Sequence, residues 1–595
     1  MNREKFDQIE PQIDGASALA PDTTGWNFYE VDQGLRDILA LYLTPKLLAH
    51  LTPHLSELGE MASGVLDQAA NLADKHPPIL HARDRFGRDE DWIEYHPAYR
   101  ELEKVAYGHF GIHAMSHRGG ILGWSDPFPA VAKHAFTYLF NQAEFGLGCP
   151  INVTDSGVHA LKLFADSEIQ QRFIPRMTTT NIDELWQGAQ FMTEREGGSD
   201  VANITTKASF KNGEWHLYGE KWFCSNADAS VSLLLARPEG ASLGSRGLGL
   251  FVMPRILDDG SRNYYRIIRL KDKLGTRSMA SGEIKLEGAI AYPIGAVENG
   301  LKQMLEMVNW SRLSNGVKSA ALMRRAVHDA TAVINHRIVF GQPLIEKPLA
   351  KRQLLKIRLP AEESLSLFMF TAEALDRSSG YGGNSPSQEA SAILRLATPV
   401  LKFRATRDAR EATGDALEMR GGLGYIEEWI NPRLVRDAHL GSIWEGSGNV
   451  VALDAVTRAV GRHSCHKPFA AVLHARVDEA VGLPASYAKK LHSLVDKAIE
   501  LIEWVASSNQ NESHARRATS ILYHTSAAVL MAWEGAKTYN LRGDARRILW
   551  SWLVVQHRLS SLDPFETRTD LNEGNFTEIL LGSDDVTMSE VSKII

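Results

Sequence analysis

Cysteine is nearly missing from this 595-residue chain. The three that occur, Cys149, Cys224 and Cys465, are far apart and lack metal-ligand spacing. That speaks against a disulfide framework or a zinc site and for a reducing, cytoplasmic setting, with no metal expected. Long apolar runs are missing too: none approaches the roughly 20 residues that cross a bilayer, so no membrane insertion is expected. The first fifteen residues, MNREKFDQIEPQIDG, have neither the apolar core of a secretory signal nor the arginines of a transit peptide. Neither charge sign has the upper hand. Lys and Arg number 65 against 72 Asp and Glu, a net charge of −7, so the surface as a whole does not favour phosphate backbones, although a local basic patch remains open. There is no internal repeat and no sustained heptad. The glycine-rich segments Gly197-Gly198 and Gly421-Gly422-Leu423-Gly424 lack the strand-to-helix context of a dinucleotide fingerprint.

What is present is an ordinary globular composition, 44% apolar and 23% charged, in a chain too long for one core. Helical periodicity runs from 30 to about 185, as in Leu35, Ile38, Leu39, Tyr42 and Leu43. It is interrupted at His76-Pro77-Pro78 and along the polar stretch 84–91, both read as connections. From about 186 to 297 short strands take over, at 208–210, 214–217, 231–235, 248–253 and 264–270. Asn212-Gly213 makes a tight hairpin turn between the first two. Helix then returns to the C-terminus, broken by the Gly/Ser/Pro loop at 380–387 and near 461–468. Beyond it Leu491, Leu494, Val495, Ala498, Leu501, Ile502 and Val505 form one apolar face. The expected fold is mainly α with an inserted antiparallel β domain, divided as 1–185 helical, 186–297 β, 298–460 helical bundle and 461–595 helical extension. Helix, β, helix, helix is not the alternating βα order of a Rossmann enzyme.

Three constellations can carry chemistry. Met192-Thr193-Glu194-Arg195-Glu196-Gly197-Gly198-Ser199-Asp200 joins hydroxyls to paired glycines that let a ligand approach the backbone, and equally fits a capped turn. Lys221-Trp222-Phe223-Cys224-Ser225-Asn226 sets Phe223 and Ser225 on one side of a strand, which suits a flat heterocycle with a polar edge and equally suits a half-buried strand. Ser442-Ile443-Trp444-Glu445-Gly446-Ser447-Gly448-Asn449 holds a carboxylate among apolar and small neighbours. It is a candidate base for proton abstraction or an exposed loop glutamate. Arg312 and Arg337 are candidate anion forks or solvated helix-face arginines. Cys224 reads as a buried, inert thiol.

Together, in this order and spacing, these segments resemble the acyl-CoA dehydrogenase family. The likeness covers roughly 145–455: residues 166–177, the Thr193 and Phe223 motifs, Arg337 to Gly341, Gly421 to Tyr425, and Arg436-Asp437-Ala438 leading to Glu445. It implies the acyl-CoA dehydrogenase fold and FAD. Met192, Thr193, Phe223 and Ser225 would line the isoalloxazine, and Ser447 and Asn449 would touch the cofactor. Ser199 would lie near the CoA, with Arg312 also assigned to substrate, and Glu445 would be the catalytic base. Arg337, Phe340, Gly421 and Gly422 would reach the FAD of a neighbouring subunit, which implies a homo-oligomer, usually a tetramer. The implied reaction is α,β-dehydrogenation of an acyl-CoA, with an electron-transfer flavoprotein as acceptor.

The chain is longer than typical members. Pro77-Pro78, Asp84-Arg85-Phe86-Gly87-Arg88, His96-Pro97, Gly148-Cys149-Pro150-Ile151 and the Glu445 segment resemble the alkylation-response, AidB-type branch. Some members of that branch bind double-stranded DNA through the extra C-terminal helices and dehydrogenate weakly, which is the alternative reading. Arg516, Arg517, Arg542, Arg546 and Arg547 would supply its basic stripe, or else a solvated surface. A flavin monooxygenase on the same scaffold is a third reading, against which the retained Glu445 speaks.

Overall fold

The computed structural model describes residues 21–561, 565 and 573–595. The polar opening stretch 1–15 lies outside them. The helices begin where the sequence supplies caps. Asp32 accepts from Leu35 N at 3.1 Å to start Gln33–Tyr42, Thr44 precedes Pro45 at the start of Pro45–Ser63, and Asp166 accepts from Ile169 N to start Ser167–Met177. Leu47, Leu51, Leu55 and Leu58 stack at helical spacing on the buried face of the second. Ala130–Phe140 is buried on every side, as a helix at the centre of a bundle must be.

The stretch 84–91 is only in part a connection. Ile79–Arg83 and Asp89–Glu94 form an antiparallel hairpin, turned by the Asp84 carboxylate accepting from Phe86 N and Arg88 N. Polarity suggested a loop, but the second strand docks on the β domain. The buried Asp91 carboxylate accepts from Ile267 N (3.1 Å) and Arg262 (2.7 Å).

In the β domain the hairpin Lys207–Lys211 and Glu214–Ser225 turns at Asn212 and Gly213, both with positive φ (54° and 87°). Glu214–Ser225 pairs with Ser281–Pro293, which pairs with Gly249–Pro254 and with Tyr265–Leu270. Gly249–Pro254 pairs with Val231–Pro238, and the latter returns to Lys207–Lys211, closing the sheet on itself. The pairing is mainly antiparallel, but Val231–Pro238 runs parallel to both Gly188–Phe191 and Lys207–Lys211. Its uninterrupted apolar run has a clear reason. Val231, Leu233 and Leu235 face the helices, while Leu234 and Ala236 face the barrel interior, so both sides of the strand are dry.

Three long helices follow, Gly300–His336, Pro348–Ser379 and Gln388–Arg420, the last two joined by the expected loop with Gly380, Gly382 and Gly383 at positive φ. The C-terminal helices are fastened to this bundle from inside. Arg547 donates to Glu362 (2.9 Å) and Glu534 (2.7 Å), and Arg324 to Glu362 (3.0 Å), all buried. Ala485–Ala506 buries Leu491, Leu494, Val495, Ala498, Ile502 and Val505, with Leu501 half-buried at the edge. Among the described residues no helix is long and apolar enough to cross a membrane.

Candidate active site

Glu445 lies between helices Ile430–Gly441 and Gly448–Leu453, at φ 56° with Gly446 following at φ 97°. A side chain in the left-handed region costs about 1–2 kcal/mol, so the surrounding structure must impose it. Two buried cations do. Lys402 Nζ donates to Trp444 O (2.9 Å) and Gly446 O (2.6 Å), and Arg312 Nε donates to the carbonyl of Glu445 itself (3.0 Å). Three successive carbonyls are thereby gripped from two helices. Arg312 is in turn held by Asp454 (2.7 Å), which also takes Arg395 (2.7 Å). Loss of solvation pushes the Lys402 amine down to about 7, against the pull of Glu445 and with the help of Arg312.

The side chain of Glu445 is aimed as firmly as its backbone. Oε1 accepts from Ser311 Oγ, whose oxygen accepts from Asn152 Nδ2 at 2.7 Å, while Oε2 is buried with no hydrogen-bond partner. One oxygen is fixed and the other is free to take a proton.

The Thr193 and Phe223 motifs meet edge to edge, Trp222 N donating to Thr193 O at 2.9 Å. A buried pair sets their position. Glu194 accepts from Lys221 Nζ (2.7 Å) and from the backbone and hydroxyl groups of Thr205 and Thr206. Burial alone would raise the Glu194 carboxyl, but the Lys221 ammonium and these donors hold it below its usual range. Between Lys221 and Cys224 the register with Ser281–Pro293 slips, two residues opposing one, and this bulge turns Trp222 and Phe223 out of the barrel. Phe223 is 58% exposed, Met192, Thr193 and Ser225 are half-buried, Ser199 is exposed, and Cys224 points into the barrel core. Burial pushes the Cys224 thiol well up, as an inert thiol requires. Cys149 joins the two halves of the site. Burial raises its thiol, and its neighbours are Lys318, Glu445, Lys273 and the Ser225 hydroxyl.

Arg337, Phe340, Gly421 and Gly422 form a separate group. Arg337 donates to Arg420 O at 3.1 Å, and a Cβ on Gly421 (φ 75°) would lie 3.2 Å from the Arg337 guanidinium. Phe340 tips the small hairpin at φ 50° and is 99% exposed, and Ile338, Leu423, Tyr425 and Ile426 are exposed as well. Arg312 and Arg337 are about 25 residues apart on essentially one helix, about 37 Å, so this group does not reach Glu445 of its own chain. Ser447 and Asn449 are exposed just beyond Glu445, Asn449 Oδ1 accepting from Arg516 at 3.4 Å.

The structure adds to two expectations. Arg312 is buried, and its Nε and Nη1 donate to Glu445 O, Asn309 and Asp454, so it also orients the loop in addition to the substrate role expected of it. The basic stripe does not form. Arg547 is buried against two carboxylates, Arg542 binds Asp37, Asp544 and Asp585, and Arg546 binds the carbonyls of Gly582 and Asp584. Arg516, Arg517 and Arg542 are exposed, and of these Arg542 is neutralised by its three carboxylates. Sequence reasoning missed Asn152, Glu194, Lys221, Ser311, Lys318 and Lys402, because their roles arise from contacts between segments far apart in the chain.

Comparison with known proteins places the chain in a family. Residues 19–184 match the family described as adaptive response protein AidB N-terminal domain, 189–289 the acyl-CoA dehydrogenase middle domain, and 298–461 the acyl-CoA dehydrogenase C-terminal domain. The chain therefore belongs to the acyl-CoA dehydrogenase family, a family of oxidoreductases. Within it the chain is of the AidB type: it is 35% identical to the putative acyl-CoA dehydrogenase AidB of Escherichia coli over 67% of this chain and 72% of that one. It is 29% identical to acyl-CoA dehydrogenase family member 11 of Caenorhabditis elegans, over 90% of this chain and 88% of the relative. The solved structure of Caenorhabditis elegans ACDH-11 in complex with C11-CoA superposes with a TM-score of 0.82 at 26% identity, covering 91% of this chain and 93% of that one.

Proposed function

We propose that this protein is an FAD-dependent acyl-CoA dehydrogenase in which Glu445 removes the α-proton of an acyl-CoA thioester. The observation that carries the reading is the Glu445 carboxylate itself. It is held in a left-handed loop by Lys402 and Arg312 and aimed by Ser311, and it keeps one buried oxygen without a partner. A base so fixed pays little reorganisation when the proton moves. The relative solved with C11-CoA supports an acyl thioester as substrate.

The residues beside Phe223 fit a flavin. A phenyl ring 58% exposed at a bulge, half-buried Met192 and Thr193, and the Ser225 hydroxyl make an apolar face with a polar edge of the size a planar ring system covers. FAD, when bound, supplies the acceptor for the β-hydride. Met192, Thr193, Phe223, Ser225, Ser447 and Asn449 hold it from one subunit. Arg337, Phe340, Gly421 and Gly422 hold it from the next, in a homo-oligomer taken to be a tetramer. The exposed apolar side chains Ile338, Phe340, Leu423, Tyr425 and Ile426, in the two segments joined by the Arg337–Arg420 hydrogen bond, support that assembly. Ser199 lies at the CoA end, Arg312 positions the base loop, and an electron-transfer flavoprotein takes the electrons onward in a cytoplasmic setting.

Glu445→Gln tests the assignment. The variant is expected to retain flavin and bind acyl-CoA but to lose exchange of the substrate α-hydrogen with deuterated solvent. Exchange at the wild-type rate would remove Glu445 from the role.

A further inference from the structure

Three arginines meet around the Glu445 loop without a counter-charge of their own. Arg404, Arg407 and Arg410 follow one another at three-residue spacing along Gln388–Arg420. Arg404 is held by the Asp408 carboxylate at 3.0 Å. Arg407 and Arg410 are not so held, and Arg516 joins them from the start of Ala515–Arg542 in the C-terminal extension. Among the described residues none of these three has a carboxylate partner. Arg410 donates to Ser442 Oγ at 3.5 Å and Arg516 to Asn449 Oδ1 at 3.4 Å, while the guanidinium groups of Arg407 and Arg516 each stand 5.9 Å from the centre of the Phe403 ring. A Cβ on Gly448 would lie 3.7 Å from Phe403 and 4.0 Å from Arg407 Nη1, so the loop backbone passes close to that guanidinium. The contacts of the three arginines thus fall on Ser442, Gly448 and Asn449, which bracket Glu445.

Such a grouping is costly by itself, because like charges repel. Loss of solvation and the neighbouring Arg516, Arg404 and Arg410 push the Arg407 guanidinium below the ordinary arginine value, against the pull of Asp408. Arg516 is placed no better by its own helix. Ala515–Arg542 begins at His514 with no side-chain cap, and a cation in the first turn opposes the positive end of the helix dipole. An anion relieves every one of these costs, since guanidinium forks and a helix start are what phosphate oxygens bind. The position says which anion. Ser447 and Asn449, assigned above to the flavin cofactor, lie on the same stretch, and Asn449, four residues after Glu445, is at most about 14 Å from it. The CoA end of the thioester is assigned to Ser199, on the β domain. FAD carries a pyrophosphate between its flavin and its adenosine, and its flavin end is the one that faces Glu445 in the reading above.

We propose that Arg407, Arg410 and Arg516, with Ser447 and Asn449, form an anion subsite that receives the pyrophosphate of FAD, so that the C-terminal extension helps to retain the cofactor. The proposal rests on the flavin reading above. The test dilutes purified flavin-loaded protein and follows release of FAD by the rise of free-flavin fluorescence, with CoA binding measured by calorimetry on the same preparations. Arg407→Met and Arg516→Met are each expected to raise the Kd for FAD about tenfold and to leave CoA affinity unchanged. Arg516→Lys should keep part of the affinity, and Arg517→Met, which removes a neighbouring charge from the same helix, should release FAD as the wild type does. Added salt should loosen FAD from the wild type more than from the variant lacking both Arg407 and Arg516. Unchanged FAD release in Arg407→Met and Arg516→Met overturns the proposal. So does a loss of CoA affinity with FAD retained, which would give these arginines to the phosphates of CoA, and so does equal weakening of both ligands, which would be an effect of overall charge. FAD release from the wild type that is insensitive to salt overturns it even if no variant folds. All of these outcomes leave the dehydrogenase reading standing, whereas a wild type that takes up no flavin ends that reading and this proposal with it.

Discussion

Replacing Lys402 by methionine removes the cation that grips the carbonyls on either side of Glu445 while keeping the volume of the side chain. Hydrogen bonds are worth about 0.5–1.5 kcal/mol each from a neutral donor and about 1.5–3 from a charged one, and Lys402, which is part-charged at neutral pH, makes two, at 2.9 and 2.6 Å. Against this stands the cost of burying the amine, which holds it at about 7. Net destabilisation at neutral pH should therefore be small, about 1–2 kcal/mol. The effect on turnover should be larger. A base displaced by about 1 Å can lose about 100-fold in rate, so kcat should fall by that order with a smaller change in KM and with flavin retained.

The pH dependence has a definite sign. An unfolded lysine titrates near about 10.4 and the folded one at about 7, so in that window the unfolded chain holds the extra proton. The contribution of Lys402 to stability is then fullest above the unfolded value and is lost as pH falls towards 7. Denaturant titrations should show wild type gaining on Lys402→Met as pH rises across the window, by at most about 1.4 kcal/mol per unit. A pH-independent difference, or a variant with unchanged kcat, would refute the reasoning.

Ser311→Ala takes the hydroxyl from Glu445 Oε1 and leaves Asn152 Nδ2 without its acceptor; kcat should drop about tenfold in steady-state assays, and full activity would show that this aim is dispensable. Arg547→Met leaves Glu534 without its cation and Glu362 with one fewer; chemical denaturation should report a loss of about 3–5 kcal/mol, and a loss under about 1 kcal/mol would contradict the view that this network fastens the C-terminal helices. Gly421→Ala puts a Cβ at φ 75° and 3.2 Å from the Arg337 guanidinium. About 1–2 kcal/mol of strain and a displaced Arg337 should lower flavin content measured by absorbance, which a normally yellow variant would disprove.

Local chemistry made part of this molecule legible. Asn212-Gly213 announced its hairpin and the run beginning at Val231 its strand, because turn and burial signals lie within a few residues. Ser281–Pro293, the strand that joins three others, was not recognised: Gly282 and Gly288 interrupt it, and the register shifts along its partner break the alternation. The hairpin at Ile79–Glu94 reads as polar loop because its partner is the distant β domain. The site divides in the same way. Glu445, Phe223 and Thr193 were visible in their motifs. The lysine that clamps the base loop lies 42 positions from Trp444, and Ser311 and Asn152, which aim the carboxylate, are 159 positions apart. The arginine stripe failed for the same reason. Helical spacing cannot reveal that Arg547 faces Glu362 and Glu534.

The central claim is that Glu445 faces a flavin across an acyl thioester. An anaerobic titration of the flavin-loaded protein with acyl-CoAs of graded chain length measures this directly through the flavin absorbance. Bleaching in the wild type and none in Glu445→Gln is the predicted result. A wild-type flavin that keeps its full absorbance against every thioester, or a polypeptide that takes up no flavin at all, would contradict it.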